Sequence, residues 1–278
     1  MTEKYSVLMS LYQKEKPRWF EASMDSMINQ TIMPNEIVLV LDGPIDGKLM
    51  DSVNYYKENY PKLVEVLQLT ENIGLGKALD QGLTICSNDL VARMDTDDIS
   101  LPTRCEKQLR EFKNNSNLSI VGTNIDEFYD DPNNIISSRV VPSSNSEIKS
   151  FIRRRSPFNH PTVMFKKSAV LASGGYGKLR RKQDLDLFSR MINNGFEATN
   201  INESLLLFRS NENNFKRRKS LSYVKSYIIA QYTIWKRGHC SFFDLLYVTM
   251  GQIIFFILPI PILKKISNKF LRATTNTK

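Results

Sequence analysis

The chain has 278 residues, 38 basic and 29 acidic side chains, a formal net charge of +9, and 41% hydrophobic against 24% charged residues. That balance suits a globular protein and excludes a disordered, collagenous or disulfide-stapled one. Three widely spaced cysteines (Cys86, Cys105, Cys240) without a CxxC pair argue against a zinc site and fit a reducing compartment, and MTEKYSVLMSLYQKEK has too short an apolar run for a secretory signal.

SVLMSLY (6–12) reads as a buried strand, and Pro17 opens a helix with Phe20, Met24, Met27 and Ile28 on one face. EIVLVLD (36–42) is a second buried strand, stopped by Gly43-Pro44. Residues 51–60 read as helix, LVEVLQL (63–69) as a third strand, and Leu75, Leu79, Leu83 and Cys86 share the face of the next helix. DLVARMD (89–95) is the fourth strand, and a helix follows from Leu101 with Cys105, Leu109 and Phe112 inward. Strands alternating with helices predict a mostly parallel sheet of βαβ units, and near-continuous apolar strands require helices on both faces. Further on, residues 118–124, 135–141 and 162–165 read as strands. Ser144 and Glu147 form a capping box, and QDLDLFSRMINN (183–194) is a helix stopped by Gly195.

The strongest chemical signal is Arg93-Met94-Asp95-Thr96-Asp97-Asp98, where the fourth strand ends. Clustered carboxylates at a strand end are costly unless a cation neutralises them. On extended chain Asp95 and Asp97 point the same way, and an oxygen-only ligand pair suits Mg²⁺ or Mn²⁺ with bound phosphates. Open parallel sheets bind ligands beyond this edge. The plainer alternative is a solvated acidic loop, with Asp98 capping the following helix. Asp42 opens onto the same edge, its plainer role being to form the LDGP turn. Gly74 and Gly76 open a helix and allow close approach to a phosphate or sugar. Neither GxGxxG nor GxxxxGK[ST] is present, so a dinucleotide cofactor and a standard ATPase site are unsupported. Asp184 heads its helix after the run RRK (180–182), where capping is the plainer role.

Taken in order, SVLMSLY, QTIMPNEIVLVLDGP, ENIGLGKALDQGL, ARMDTDDISLPTR, FNHPTVMF, SGGYG, QDLDLFSRM and LLLFR resemble an inverting family-2 glycosyltransferase of the bacterial O-antigen and capsule type, over residues 5–209. The resemblance implies a GT-A fold, a Rossmann-like sheet with helices on both faces. It implies that Asp42 meets the uracil of a UDP-sugar with Ser10 on the same nucleotide face, and that Asp95, with Arg93 in the same motif, meets the nucleotide-sugar. Asp97 together with Asp95 would hold Mn²⁺ or Mg²⁺ at the diphosphate, and Asp184 would be the catalytic base. The family usually has Glu-Asp there, and this chain has Gln183-Asp184. His160 is expected near the acceptor pocket, with a structural histidine as its alternative. Arg209 and the Lys216–Lys219 run are candidates for diphosphate oxygens of donor or lipid acceptor, a solvated basic stretch before a helix being the favoured alternative for most of the run.

Thirteen of the basic residues fall after residue 208, against two acids, Glu212 and Asp244. Residues 245–263 carry no charge, yet Gly251, Gln252, Pro259 and Pro261 interrupt them and basic groups flank both ends. A span would place cations on the far side, so a helix lying in the cytoplasmic face of the inner membrane is favoured over a crossing. The expected organisation is a catalytic domain over 1–208 (nucleotide half 1–115, acceptor half 116–208) and a membrane-associating tail over 209–278. The expected reaction moves a hexose, galactose before glucose, onto GlcNAc-diphosphate-undecaprenol in a β-1,3 linkage. A nucleotidylyltransferase would need a glycine-rich, basic phosphate loop near the first strand, which SLYQKEKP does not supply. A non-catalytic scaffold for polysaccharide assembly has no need of acids at 95, 97 and 184. Nucleic-acid binding predicts stacking aromatics among the cations, whereas here the cations border an apolar run.

Overall fold

The structure, a computed structural model, describes residues 3–210, 219–259 and Ile262. The N-terminal half alternates β1 (Tyr5–Leu11), α1 (Pro17–Ile28), β2 (Glu36–Leu41), α2 (Gly47–Asn59), β3 (Val64–Gln68), α3 (Leu75–Ile85) and β4 (Leu90–Asp95). The second half holds β5 (Ile99–Ser100), α4 (Arg104–Asn114), β6 (Leu118–Phe128), β7 (Ile135–Arg139) and α5 (Asn145–Phe151). A 3-10 turn (His160–Thr162), β8 (Met164–Lys166), α6 (Lys167–Ala172), α7 (Gln183–Asn193), β9 (Glu197–Arg209), α8 (Leu221–Lys236) and α9 (Phe242–Ile257) follow.

The strands form one sheet in the order β3-β2-β1-β4-β8-β6-β9-β5, with β7 paired to β6. The first four run parallel, as the strand–helix alternation requires. β8 then lies antiparallel to both β4 and β6, so the second half is mixed. The sheet residues are buried on both faces, split between one core around Val7, Met9, Leu39, Ala92 and Met94 and another around Leu8, Val38, Val40, Val91 and Phe165. Leu8 and Met9, neighbours in β1, serve opposite cores because successive side chains point to opposite faces. The expected capping box is present at α5, where Ser144 and Glu147 satisfy each other's backbone N–H groups.

Two strands depart from the sequence reading. β9 is thirteen residues long and parallel to β6 through several register shifts. Its first half, EATNINES, is polar and carries no period-2 signal, and pairing rather than burial fixes it as strand. β5 contributes two residues against β9. α4 starts at Arg104 with Thr103 as its N-cap, so Asp98 is no helix cap.

Beyond β9, α8 packs on α7 and pairs with α9. No described helix is long and apolar enough to cross a membrane. α9 instead shows its apolar residues to solvent: Phe243 is 77%, Tyr247 64% and Ile257 70% exposed. It is nonetheless tied to the sheet domain, because buried Asp244 accepts from Arg153 at 2.7 Å and from Arg154 at 2.6 Å. Lys216–Arg218 of the basic run and the cations from Lys264 onward lie outside the described residues.

Candidate active site

Asp95, Asp97 and Asp98 sit where β4 leaves the sheet, with carboxylate oxygens within 4.8 Å of one another. In register with Asp95, the neighbouring β1 contributes Ser10, whose carbonyl accepts from the Thr96 hydroxyl at 3.4 Å. The sequence-predicted Ser10, Arg93, Asp95 and Asp97 are thus brought together at one edge. Arg93 is 1% exposed and ion-paired with Asp95. Its Nε and Nη1 are buried without a hydrogen-bond partner. Burial opposes the guanidinium charge, but the Asp95 carboxylate more than compensates and its pKa is raised.

Asp97 and Asp98 carry the strain of the cluster. Burial, then Asp95 and Glu15, push the Asp97 carboxyl up to about 7. Burial, then Asp97 and Asp95, hold Asp98 well above the usual carboxylate range. Asp98 is fully buried; its Oδ1 accepts from the Arg209 backbone N–H at 2.8 Å and its Oδ2 has no partner. A buried orphan oxygen beside two further carboxylates fits a hard divalent cation with oxygen ligands, Mg²⁺ or Mn²⁺. The sequence counted Asp98 in this cluster, and its alternative role as a helix N-cap is not realised, since Thr103 caps α4.

Arg209 stands at this cluster, its Nε donating to the Asp97 carbonyl at 2.8 Å and its guanidinium lying 4.9 Å from Trp19 and 4.5 Å from Phe128. It braces the end of β9 against the acidic loop. Asp42 is engaged as well. Its Oδ1 accepts from Ile73 N at 2.7 Å, and its Oδ2 accepts from Asn72 Nδ2 at 3.0 Å and Gly74 N at 3.1 Å. Here the carboxylate clamps the loop that opens α3 rather than the LDGP turn, at the same end of the sheet strands as the β4 acids.

His160 begins the 3-10 turn and shares a 2.9 Å hydrogen bond with the Tyr176 hydroxyl. Burial and the Arg93 charge hold its pKa well below the ordinary value, so the ring is neutral at pH 7. Tyr176 is fully buried, hydrogen-bonded to His160 and Asp80, and within electrostatic reach of Arg93, Asp95 and Asp184. Sequence reasoning noted SGGYG but not this tyrosine. Its loop turns through positive φ at Gly174, Gly175 and Gly177. A Cβ on Gly175 would lie 2.6 Å from Asp80 Oδ1, the atom that accepts from Tyr176 N.

Asp184 stands in the first turn of α7, half-buried, and among the described residues its carboxylate makes no hydrogen bond or ion pair. The N-cap is Lys182, so Asp184 is not spent on capping. Asp186, two residues on, is unsuited to proton transfer because Arg190 and Arg237 both pair with it. Gln183 is buried against α3, where a Cβ on Gly76 would lie 2.9 Å from its Cγ. Asp184 also lines a cleft of about 1030 Å³.

The family model described as "Glycosyl transferase family 2" matches residues 6–179. An uncharacterized glycosyltransferase of Haemophilus influenzae is 36% identical over 97% of this chain and 99% of its own length. An Escherichia coli protein named UDP-Gal:alpha-D-GlcNAc-diphosphoundecaprenol beta-1,3-galactosyltransferase is 33% identical over 97% of this chain and 98% of its own. Among solved structures, the mannosyltransferase PcManGT of Pyrobaculum calidifontis, in complex with GDP-Man and Mn²⁺, superposes with a TM-score of 0.65 at 12% identity, covering 92% of this chain and 71% of that one. That likeness shows the fold, which is the GT-A architecture expected from the motifs.

Proposed function

The chain belongs to glycosyl transferase family 2 and is a glycosyltransferase, and from that premise we propose that it transfers galactose, with glucose second, from a UDP-sugar to GlcNAc-diphosphate-undecaprenol in a β-1,3 linkage. The product would be a repeat-unit intermediate of O-antigen or capsule. The observation that carries the reading is the trio Asp95, Asp97 and Asp98 at the end of β4, with unpaired Asp184 at the head of α7 beyond Tyr176. The near full-length likeness to the E. coli galactosyltransferase supports donor, acceptor and linkage.

Asp95, Asp97 and Asp98 would hold Mn²⁺ or Mg²⁺, which supplies a positive charge to the leaving diphosphate. Ser10, Arg93 and the loop clamped by Asp42 would shape the nucleotide-sugar edge. Arg93 fixes the carboxylate of Asp95, and burial, with the Arg93 charge added, keeps His160 neutral. Asp184 would take the acceptor hydroxyl's proton as that oxygen attacks the anomeric carbon, so one displacement inverts an α-linked donor to a β product. No enzyme nucleophile is required. His160 and Tyr176, joined to each other, would orient the acceptor side of the centre.

Residues 1–208 would form the catalytic domain and 209–278 the attachment to the cytoplasmic membrane face. The exposed apolar surface of α9 and the basic run support peripheral binding. The test is transfer by the full chain from a panel of UDP-sugars to synthetic GlcNAc-diphosphate-lipid, with linkage read by NMR. A β-1,3-galactosyl product is expected. Retention of configuration, or no transfer from any UDP-sugar, refutes the reading.

A further inference from the structure

The cleft of about 1030 Å³ beside Asp184 has contents that the donor chemistry does not use. It lies between the head of α7, the segment after α5, and helices α8 and α9. None of the three β4 carboxylates lines it. Five cations do: Arg139, Arg153, Arg154, Arg155 and Lys182, against only Asp184 and Asp244. Asp244 is already paired with Arg153 and Arg154, so the cleft carries an excess of positive charge beside Asp184.

Lys182 is the most telling of these. At φ 61° it is the only non-glycine residue with positive φ among the described residues, and it immediately precedes α7. Such a conformation is disfavoured for a side chain with a Cβ and persists where something else is gained. Here it directs the ammonium over the rings of Tyr227, at 4.3 Å, and Tyr223, at 4.9 Å. No carboxylate lies within ion-pair distance of it among the described residues. Burial would lower the pKa of Lys182, but the two tyrosines and Asp184 more than offset this and it stays cationic. A fixed cation two residues from the candidate base thus lines the same cleft as that carboxylate. The opposite wall is apolar, formed by Tyr247, Val248, Ile254 and Phe255 of α9.

We propose that this cleft is the acceptor subsite and that it recognises a polyprenyl diphosphate: sugar hydroxyl at Asp184, diphosphate on Lys182, Arg139 and Arg155, and the first prenyl units along α9. Several cations suit a multiply charged group better than a single carboxylate or monophosphate, and guanidinium groups bind phosphate oxygens in pairs. The proposal rests on the lipid-linked acceptor argued above, and it adds the residues that read the acceptor's charge. It also assigns α9 a second role, as a wall of the active site as well as a membrane-facing helix.

The test is binding of farnesyl diphosphate to the full chain in detergent and EDTA, which removes metal-mediated binding at the β4 acids. Wild type, Lys182→Gly, Lys182→Arg and Arg155→Gln are compared, with farnesol, inorganic pyrophosphate and phosphatidylglycerol vesicles as parallel probes. Lys182→Gly relieves the positive φ, so its thermal midpoint should hold while farnesyl diphosphate affinity falls about tenfold to a hundredfold, the range for a lost charge-assisted contact. Arg155→Gln should lose affinity similarly and Lys182→Arg should recover most of it. Farnesol and pyrophosphate should each bind more weakly than farnesyl diphosphate. In transfer assays the KM for the diphosphate acceptor should rise by the same factor, with the UDP-sugar KM unchanged. Unaltered affinity in both variants, displacement of farnesyl diphosphate by UDP, or equal dependence of phosphatidylglycerol binding on Lys182 and Arg155 overturns the assignment. Binding that behaves as expected without sugar transfer to any GlcNAc-diphosphate-lipid would sink the proposed reaction and leave the subsite standing.

Discussion

Replacing Asp97 by Asn should stabilise the metal-free protein near neutral pH while removing its response to divalent cations. The Asp97 carboxyl is raised from an ordinary 3.8 to about 7 by burial, Asp95 and Glu15. That difference corresponds nominally to about 4 kcal/mol of unfavourable ionisation. Asp97 keeps partial contact with solvent, so about 2 kcal/mol is the working figure. The native chain binds more protons at this site than the unfolded chain between about pH 4 and pH 7. The stability that protonated Asp97 contributes is therefore complete below about pH 4 and is lost as pH rises through about 7. Buried, neutral His160 acts in the opposite direction below its ordinary pKa, so the difference between wild type and Asp97→Asn is the quantity to follow. Thermal unfolding in EDTA should show the variant gaining on wild type between pH 5 and pH 8, by about 4–8 °C at the upper end. Mn²⁺ should raise the wild-type midpoint at pH 7.5, much less at pH 5.5, and leave Asp97→Asn nearly unmoved. A variant that is less stable than wild type in EDTA at pH 7.5, or that keeps its full Mn²⁺ response, refutes the view of this cluster as a cation site strained by its own charge.

Asp184→Asn should lower kcat about 100- to 10,000-fold, with the UDP-sugar KM and thermal midpoint nearly unchanged, because the carboxylate makes no hydrogen bond or ion pair among the described residues and the N-cap is Lys182. Normal turnover in a destabilised Asp184→Asn protein would instead make it a structural residue. Gly76→Ala places a Cβ 2.9 Å from Gln183 Cγ and should displace the head of α7, cutting kcat while Mn²⁺-dependent stabilisation at the β4 acids persists; wild-type kcat would show that this packing does not position Asp184. Chelation should abolish transfer and Mn²⁺ or Mg²⁺ restore it, whereas full activity in EDTA excludes the metal role. Paired Phe243→Glu and Ile257→Glu changes on the exposed side of α9 should reduce sedimentation with anionic vesicles without lowering the thermal midpoint, and unchanged sedimentation would refute interfacial binding.

The sequence by itself determined what is local or periodic. Apolar runs such as SVLMSL and EIVLVL could only be strands covered on both faces, so the parallel half of the sheet and its helices were legible. Chain order also placed Asp95 and Asp97 at a strand end and Asp184 at a helix head, because both positions follow from element boundaries. Tertiary structure decided whatever depends on partners distant in the chain. β9 begins as a polar segment that becomes strand only by pairing with β6, and its far end brings the Arg209 backbone to Asp98, 111 residues earlier. That pairing makes Asp98 a buried member of the acidic cluster, although its place before a helix suggested a cap. Tyr176 acquires its position beside His160 from three left-handed glycines and from Asp80, none of which announces a site by spacing. Arg139, Arg155 and Lys182 come from separate segments, and nothing in their spacing links them to one another. Only the packing of α8 on α7, and of α9 on α8, gathers them around one cleft with Asp184, since charges from separate segments share a site only when the fold brings their backbones together.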